Sequence, residues 1–101
     1  MTLGQKQELF SRVIAEHIVW LYAQGYAVRC GDFFAKLRSP LEHKENSNHY
    51  LKCAADLNLF KGGKYLTKTE DHKASGEMWE KRHPACRWGG RYNDGNHYEV
   101  I

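Results

Sequence analysis

Ala54-Ala55-Asp56-Leu57-Asn58-Leu59-Phe60, followed by Lys61-Gly62-Gly63-Lys64 and Tyr65-Leu66-Thr67, is the stretch whose reading decides the fold. Its first seven residues alternate with period two. On a strand, Ala55, Leu57 and Leu59 would share the core face, and Asp56 and Asn58 the opposite one. The Gly-Gly pair is a tight-turn signal, so residues 65 to 67 are expected to return as the second strand of a hairpin. Upstream, Phe10, Val13, Ile14, Ile18 and Leu21 recur at three- and four-residue intervals, which predicts a helix over residues 3 to 24. Gly25 is placed to cap its C-terminus. Residues 26 to 34 predict a short strand broken at Gly31-Asp32, and the polar run from 35 to 48, with Pro40, predicts a loop. Downstream, residues 69 to 82 read as a helix around Met78, Trp79 and Arg82, despite Gly76, and Pro84 stops it. Residues 97 to 101 are expected to form the final strand. Helix, strands, helix and strand in that order define an α+β fold, in a single domain over residues 1–101.

Composition narrows the function classes. In 101 residues, 42% hydrophobic and 13% aromatic content supports one folded core and excludes a disordered chain. A net charge of +3 suits contact with an anionic polymer. It does not mark a nucleic-acid binder, because Lys61, Lys64, Lys68, Arg87 and Arg91 are spread among acidic residues. Cys30, Cys53 and Cys86 form no CxxC pair, so buried reduced thiols are expected rather than a zinc ribbon or a redox site. Glu8, Arg12, Glu16 and His17 interrupt the apolar residues of the N-terminal helix. Neither a signal peptide nor a membrane span fits there, so no membrane insertion is expected. The expectation is a monomer that stays cytoplasmic until another agent releases it.

Two clusters carry the chemistry: residues 47 to 56, holding Ser47, His49 and Asp56, and residues 88 to 99, holding Asp94 and His97. Two imidazoles and one carboxylate make a normal donor set for a catalytic zinc ion with a fourth position left for water. Spacing constrains how they meet. Seven residues of straight strand would separate His49 from Asp56 by about 23 Å, and seven of helix by about 10 Å. The chain must therefore turn between them, with His49 in a loop, Asp56 on a strand and His97 arriving on a neighbouring strand. Asp94, three residues before His97 across the turn Asn93-Asp94-Gly95-Asn96, would stand beside the ion as acid and base. Zinc lowers the pKa of water from about 15.7 towards 7, within reach of a carboxylate.

Plainer readings exist for each residue. Asp94 also suits an ordinary turn, and Trp88-Gly89-Gly90 a turn with a core tryptophan. His17, at the edge of the apolar stripe, reads as structural, whereas His43, His72 and His83 read as surface residues.

The two clusters resemble a known family. Ser47-Asn48-His49-Tyr50-Leu51-Lys52-Cys53-Ala54-Ala55-Asp56 is similar to the SxHxxGxAxD motif of the D-alanyl-D-alanine carboxypeptidase and dipeptidase superfamily, which includes phage L-alanyl-D-glutamate endolysins. The Trp88-to-Glu99 segment looks like the family's second motif, a Trp-Gly-Gly run followed by a carboxylate, two residues and a His. The pair spans about half the chain, in the family's order. The resemblance implies a small antiparallel sheet flanked by helices, as in hedgehog-like zinc peptidases, and Zn2+ as cofactor. By the same resemblance His49, Asp56 and His97 match the zinc ligands and Asp94 the acid/base. Ser47 matches a serine near the substrate, a peptidoglycan peptide. An upstream arginine that grips a substrate carboxylate matches Arg38 best, with Arg29 competing. The sequence departs from the motif at Lys52, where the family has glycine. If that position needs a positive φ, lysine costs about 1 kcal/mol or more. A binding module that keeps the fold without turnover is the alternative expectation.

Overall fold

The computed structural model describes residues 1–33 and 52–101. The first helix, α1, runs Leu3–Ala23. It starts in a capping box, in which Thr2 accepts from the Gln5 amide and the Gln5 side chain accepts from the Thr2 amide. Gln24 caps its C-terminus, and Gly25 follows at φ 94°, a left-handed conformation that suits glycine. Strand β1 is Tyr26–Cys30, shorter than its expected span because the chain leaves regular pairing at Gly31.

Strand β2, Ala54–Lys61, follows the alternation read from its residues. Ala55, Leu57 and Leu59 are fully buried, while Asp56 and Asn58 are half-buried on the opposite face. The hairpin turn is two residues, with Gly62 at φ 59° and Gly63 at φ 78°. Two positive φ values at the centre match the right-handed twist of the flanking strands. The return strand β3 covers only Lys64–Tyr65, earlier than expected. The expected helix over 69 to 82 divides into a 3-10 turn, Thr69–His72, and α2, Lys73–Arg82. A three-residue strand β4, Cys86–Trp88, was not expected, since three residues are too few for period two to emerge. Strand β5 is His97–Val100.

The strands form one antiparallel sheet in the order β1-β2-β5-β4, with β3 on β2. Both helices pack on the face presenting Ala55, Leu57, Leu59, Tyr98 and Val100. Phe10, Val13, Ile14 and Leu21 of α1 and Trp79 of α2 join those residues in one core. Tyr98 is the centre of that core, with Trp79 meeting it edge-on at 5.7 Å and His17 at 5.3 Å between ring centroids. The described residues thus form a small α+β domain of two helices and an antiparallel sheet. Among the described residues no helix is long and apolar enough to cross a membrane. Cys53 and Cys86 are buried as expected, Cys30 is exposed, and no disulfide links them.

Candidate metal centre

Pairing in β2 decides what faces Asp56. Its carbonyl accepts from the Gly31 amide at 2.7 Å, and its own amide donates to the Asp32 carbonyl at 3.0 Å. Both of its backbone groups therefore point towards β1. Across the other edge, Asp56 stands opposite His97 of β5 in a pair that exchanges no backbone hydrogen bonds. Side chains in such pairs approach closest. His97 Nδ1 lies 3.6 Å from Asp56 Oδ1. Gly31 leaves the approach open, since a Cβ there would press on Asp56 Cβ at 3.1 Å.

The row continues along the same sheet face. Glu99, two residues after His97, accepts from His97 Nε2 at 2.8 Å through Oε1. Arg87, opposite Glu99 in the β4–β5 register, donates to Oε2 through Nε at 2.6 Å and also through Nη2. Burial pulls the His97 imidazole down. The contacts with Asp56 and Glu99 and the nearby Asp94 charge outweigh it and hold the pKa up at about 9. Glu99 behaves in mirror image. Burial pushes its carboxyl up, but hydrogen bonds from His97 and Arg87 bring it to about 2. The row therefore holds an ionised carboxylate on the imidazole.

Asp94 lies in the turn before β5, exposed, with its backbone fixed at both ends. Its amide donates to the Gly89 carbonyl at 3.0 Å, and its carbonyl accepts from the His97 amide at 3.2 Å. Asn93, at φ 57°, supplies the left-handed step that lets the chain reverse. Gly89 is required beneath this turn, because a Cβ there would stand 2.4 Å from the Asp94 carbonyl oxygen and 2.9 Å from His97 Cβ. The Trp-Gly-Gly run is thus part of the site's support. Trp88 Nε1 donates to the Gly95 carbonyl at 2.7 Å, and its ring occupies the space where Cβ atoms at Gly76 and Gly90 would sit.

Of the residues singled out from the sequence, the structure brings Asp56 and His97 together on paired strands, with Asp94 in the adjoining turn. His49, Ser47 and Arg38 lie outside the described residues, as does His43. Among the described residues no group of three His, Cys, Asp or Glu side chains is arranged to hold an ion. Glu99 and Arg87 were missed as contributors to the site. The signal available was period two, which puts Glu99 on the face of His97.

The reading of the other histidines needs one correction. His72, expected at the surface, is 3% exposed, with Nε2 donating to the Leu66 carbonyl at 3.2 Å. Its charged neighbours in sequence hid a position that turns inward at the end of the 3-10 turn. His83 is half-buried, with Nδ1 accepting from the Ala85 amide. His17 is structural as expected. Comparison of the chain with protein-family models, with curated proteins and with solved structures finds no match.

Two of the donors that a zinc ion would need, His97 Nδ1 and Asp56 Oδ1, face each other among the described residues. Two donor atoms on one tetrahedral zinc stand about 3.3 Å apart, from bonds of about 2.0–2.1 Å. The 3.6 Å between His97 Nδ1 and Asp56 Oδ1 is close to that edge and long for a hydrogen bond. Without a metal the ring is protonated at neutral pH, so an ion bound here would displace the Nδ1 proton that faces Asp56, while Nε2–H stays with Glu99.

Proposed function

We propose that this domain is a zinc-dependent peptidase that hydrolyses a peptide bond in peptidoglycan stem peptide, of the L-Ala-D-Glu or D-Ala-D-Ala type, in phage or prophage lysis. The supporting fold is the α+β sandwich of one sheet face and two helices, read as a hedgehog-like zinc peptidase fold. One observation carries the reading: Asp56 and His97, drawn from motifs some forty residues apart, meet in register with their donor atoms 3.6 Å apart.

His49, Asp56 and His97 would hold the ion. Bound zinc supplies Lewis acidity, which polarises the scissile carbonyl and brings the pKa of water into the neutral range. The protein's own part is positioning and proton handling. Asp94 takes a proton from the attacking water and gives one to the leaving amine, from a turn that two backbone hydrogen bonds hold rigid. Exposure keeps the Asp94 carboxyl in contact with solvent, where it can be reset between turnovers. Arg38 is assigned to a substrate carboxylate, where a guanidinium can bind two oxygens at once, and Ser47 to the neighbouring peptide. The enzyme acts after its release to the cell wall, as a monomer and without nucleic acid.

Mass spectrometry of peptidoglycan digested with zinc-loaded protein tests this directly. New amino termini at one type of bond are expected, with one zinc per chain by elemental analysis. Asp94→Ala should retain the zinc and lose at least about 10²-fold in rate. Absence of cleavage by zinc-loaded wild-type protein would defeat the proposal. The second reading, a zinc-binding module for cell-wall peptide with impaired turnover, draws on Lys52. That residue occupies φ 59°, the conformation for which the motif's glycine is suited. Peptide binding unaffected by Asp94→Ala, with no turnover in either protein, would favour it.

A further inference from the structure

His97 could face Asp56 with either ring nitrogen, and something must choose. Resting on the zinc reading above, we infer that Glu99, clamped by Arg87, is the positioning residue that holds His97 with Nδ1 towards Asp56 and Nε2–H turned away.

Three independent constraints converge on Glu99. Its Oε1 is 2.8 Å from His97 Nε2, so an ionised carboxylate there accepts the Nε2 proton and leaves Nδ1 as the nitrogen with a lone pair when the ring is neutral. Its other oxygen is gripped by Arg87, whose Nε is 2.6 Å away. An arginine donates only, so this grip fixes the carboxylate's plane and keeps Oε1 aimed at the ring. The backbone beneath is pinned as well. The buried Trp79 indole N–H is shared between the Arg87 carbonyl at 3.2 Å and the Glu99 carbonyl at 3.1 Å. Those two residues face each other in the β4–β5 register. A core tryptophan thereby ties together the two strands that carry the clamp.

The arrangement follows a general rule of metal sites, in which a ligating imidazole gives its second N–H to a carboxylate that fixes its orientation. Here the rule has an extra member, since Arg87 leaves Glu99 little freedom to rotate. Loss of such a partner typically weakens metal binding by about 10- to 100-fold. Asp56 and His97 keep their register without Glu99, because the backbone sets it. The effect should therefore fall on ring orientation and affinity rather than on the fold.

The test uses the full chain. In zinc-free wild-type protein at neutral pH, proton NMR should show the His97 Nε2–H as a downfield resonance protected from exchange, with a cross-peak to the Glu99 side chain. Glu99→Gln should shift it upfield, and Glu99→Ala should lose it to exchange with water. Competition with a chromophoric zinc chelator should show affinity falling about 10-fold or more in Glu99→Gln. Arg87→Ala should show a smaller loss. Arg91→Ala, which breaks the separate Arg91–Glu80 ion pair, should leave zinc affinity unchanged. Should Glu99→Ala fail to fold, Glu99→Gln carries the test. A purely structural Glu99 would lower the melting temperature and leave both the resonance and the zinc affinity as in wild type, which overturns the inference. If wild-type protein takes up no zinc, the zinc reading falls on its own. The resonance then decides whether Glu99 orients His97.

Discussion

Two histidines in this domain each touch a hydrogen-bonded network that includes an arginine, yet they are driven to opposite charge states. On the helix-covered face of the sheet, Arg82 Nε donates to His17 Nδ1 at 2.8 Å. An arginine cannot accept, so Nδ1 carries the lone pair and Nε2 the proton, which goes to Ser75 Oγ at 2.9 Å. Ser75 and Tyr98 are hydrogen-bonded in turn at 2.7 Å. This chain ties α1, α2 and β5 together through the core. Burial, reinforced by the Arg82 charge, lowers the His17 pKa to about 3, so the ring is neutral. On the opposite face, carboxylates meet His97 directly and Arg87 reaches it only through Glu99. The lesson concerns order of contact. Burial disfavours the charged ring at both sites; Arg82 reinforces it at His17, whereas carboxylates against His97 overturn it.

The largest expected effect separates these roles outright. His97→Ala should lose high-affinity zinc binding, by two or more orders of magnitude in a chelator competition, and should also destabilise the zinc-free protein below about pH 9, where the Asp56 and Glu99 carboxylates lose their cation. His17→Ala should lose stability and leave zinc binding in place. It removes the acceptor of the half-buried Arg82 Nε and one partner of Ser75, which keeps Tyr98, and opens a cavity, which should cost about 2–4 kcal/mol by urea denaturation. Zinc affinity of the folded fraction should stay within about twofold of wild type. If His17→Ala abolished zinc binding in folded protein, the division between the two faces would be wrong.

A second measurement reads the same contrast through pH. His17 has a folded pKa below its unfolded value. As pH falls from 6.5 towards 3, the unfolded chain binds a proton that the folded chain refuses, and stability is lost. His97 in the zinc-free protein has a folded pKa above its unfolded value. Its contribution is fully present below 6.5 and is lost as pH rises towards 9. The slopes should have opposite sign, approaching about 1.4 kcal/mol per pH unit each. Urea titrations of wild type against His17→Gln at acid pH, and against His97→Gln at alkaline pH, would reveal them. Slopes of the same sign would break the comparison.

How much of this was legible before the coordinates depended on the range of the interaction. The 3.6-residue stripe of α1 and the alternation of β2 are local patterns, so both elements and the facing of Asp56 could be read from residues alone. Strand β4 could not, because a three-residue strand is defined by its partner β5 rather than by its own composition. Gly76 was read as a flaw in a helix. It proves to be room for the Trp88 ring, a contact between residues twelve apart that no helical pattern encodes. The pairing of Asp56 with His97 was legible only as a requirement of shared chemistry, since nothing local sets the β2–β5 register. The Arg87–Glu99 clamp was hidden for the same reason. Its partners are on different strands, and only the β4–β5 register brings them face to face. His72 shows the limit of polarity as a guide, since its ring is buried on a hydrogen bond to the Leu66 carbonyl although charged residues flank it in sequence.

The smallest expected effect bears on Lys52, at the start of the described segment leading into Asp56. Its φ of 59° puts an L-residue with a Cβ in the left-handed region, where Cβ crowds the carbonyl oxygen and costs about 1–2 kcal/mol relative to glycine. Glycine in turn loses more backbone freedom on folding, about 0.5–1 kcal/mol. The two effects oppose, so Lys52→Gly should raise stability by no more than about 1.5 kcal/mol. Lys52→Ala isolates the backbone contribution, because alanine keeps the Cβ and removes only the long side chain. It should give none of the gain. Chevron or equilibrium urea data on the three proteins resolve differences of this size. The comparison sharpens if zinc affinity is measured in parallel. Strain confined to Lys52 leaves affinity unchanged, whereas strain transmitted along the chain to Asp56 makes Lys52→Gly bind zinc more tightly than wild type. A loss of stability in Lys52→Gly would show that the lysine side chain contributes more through its own contacts than its backbone conformation costs.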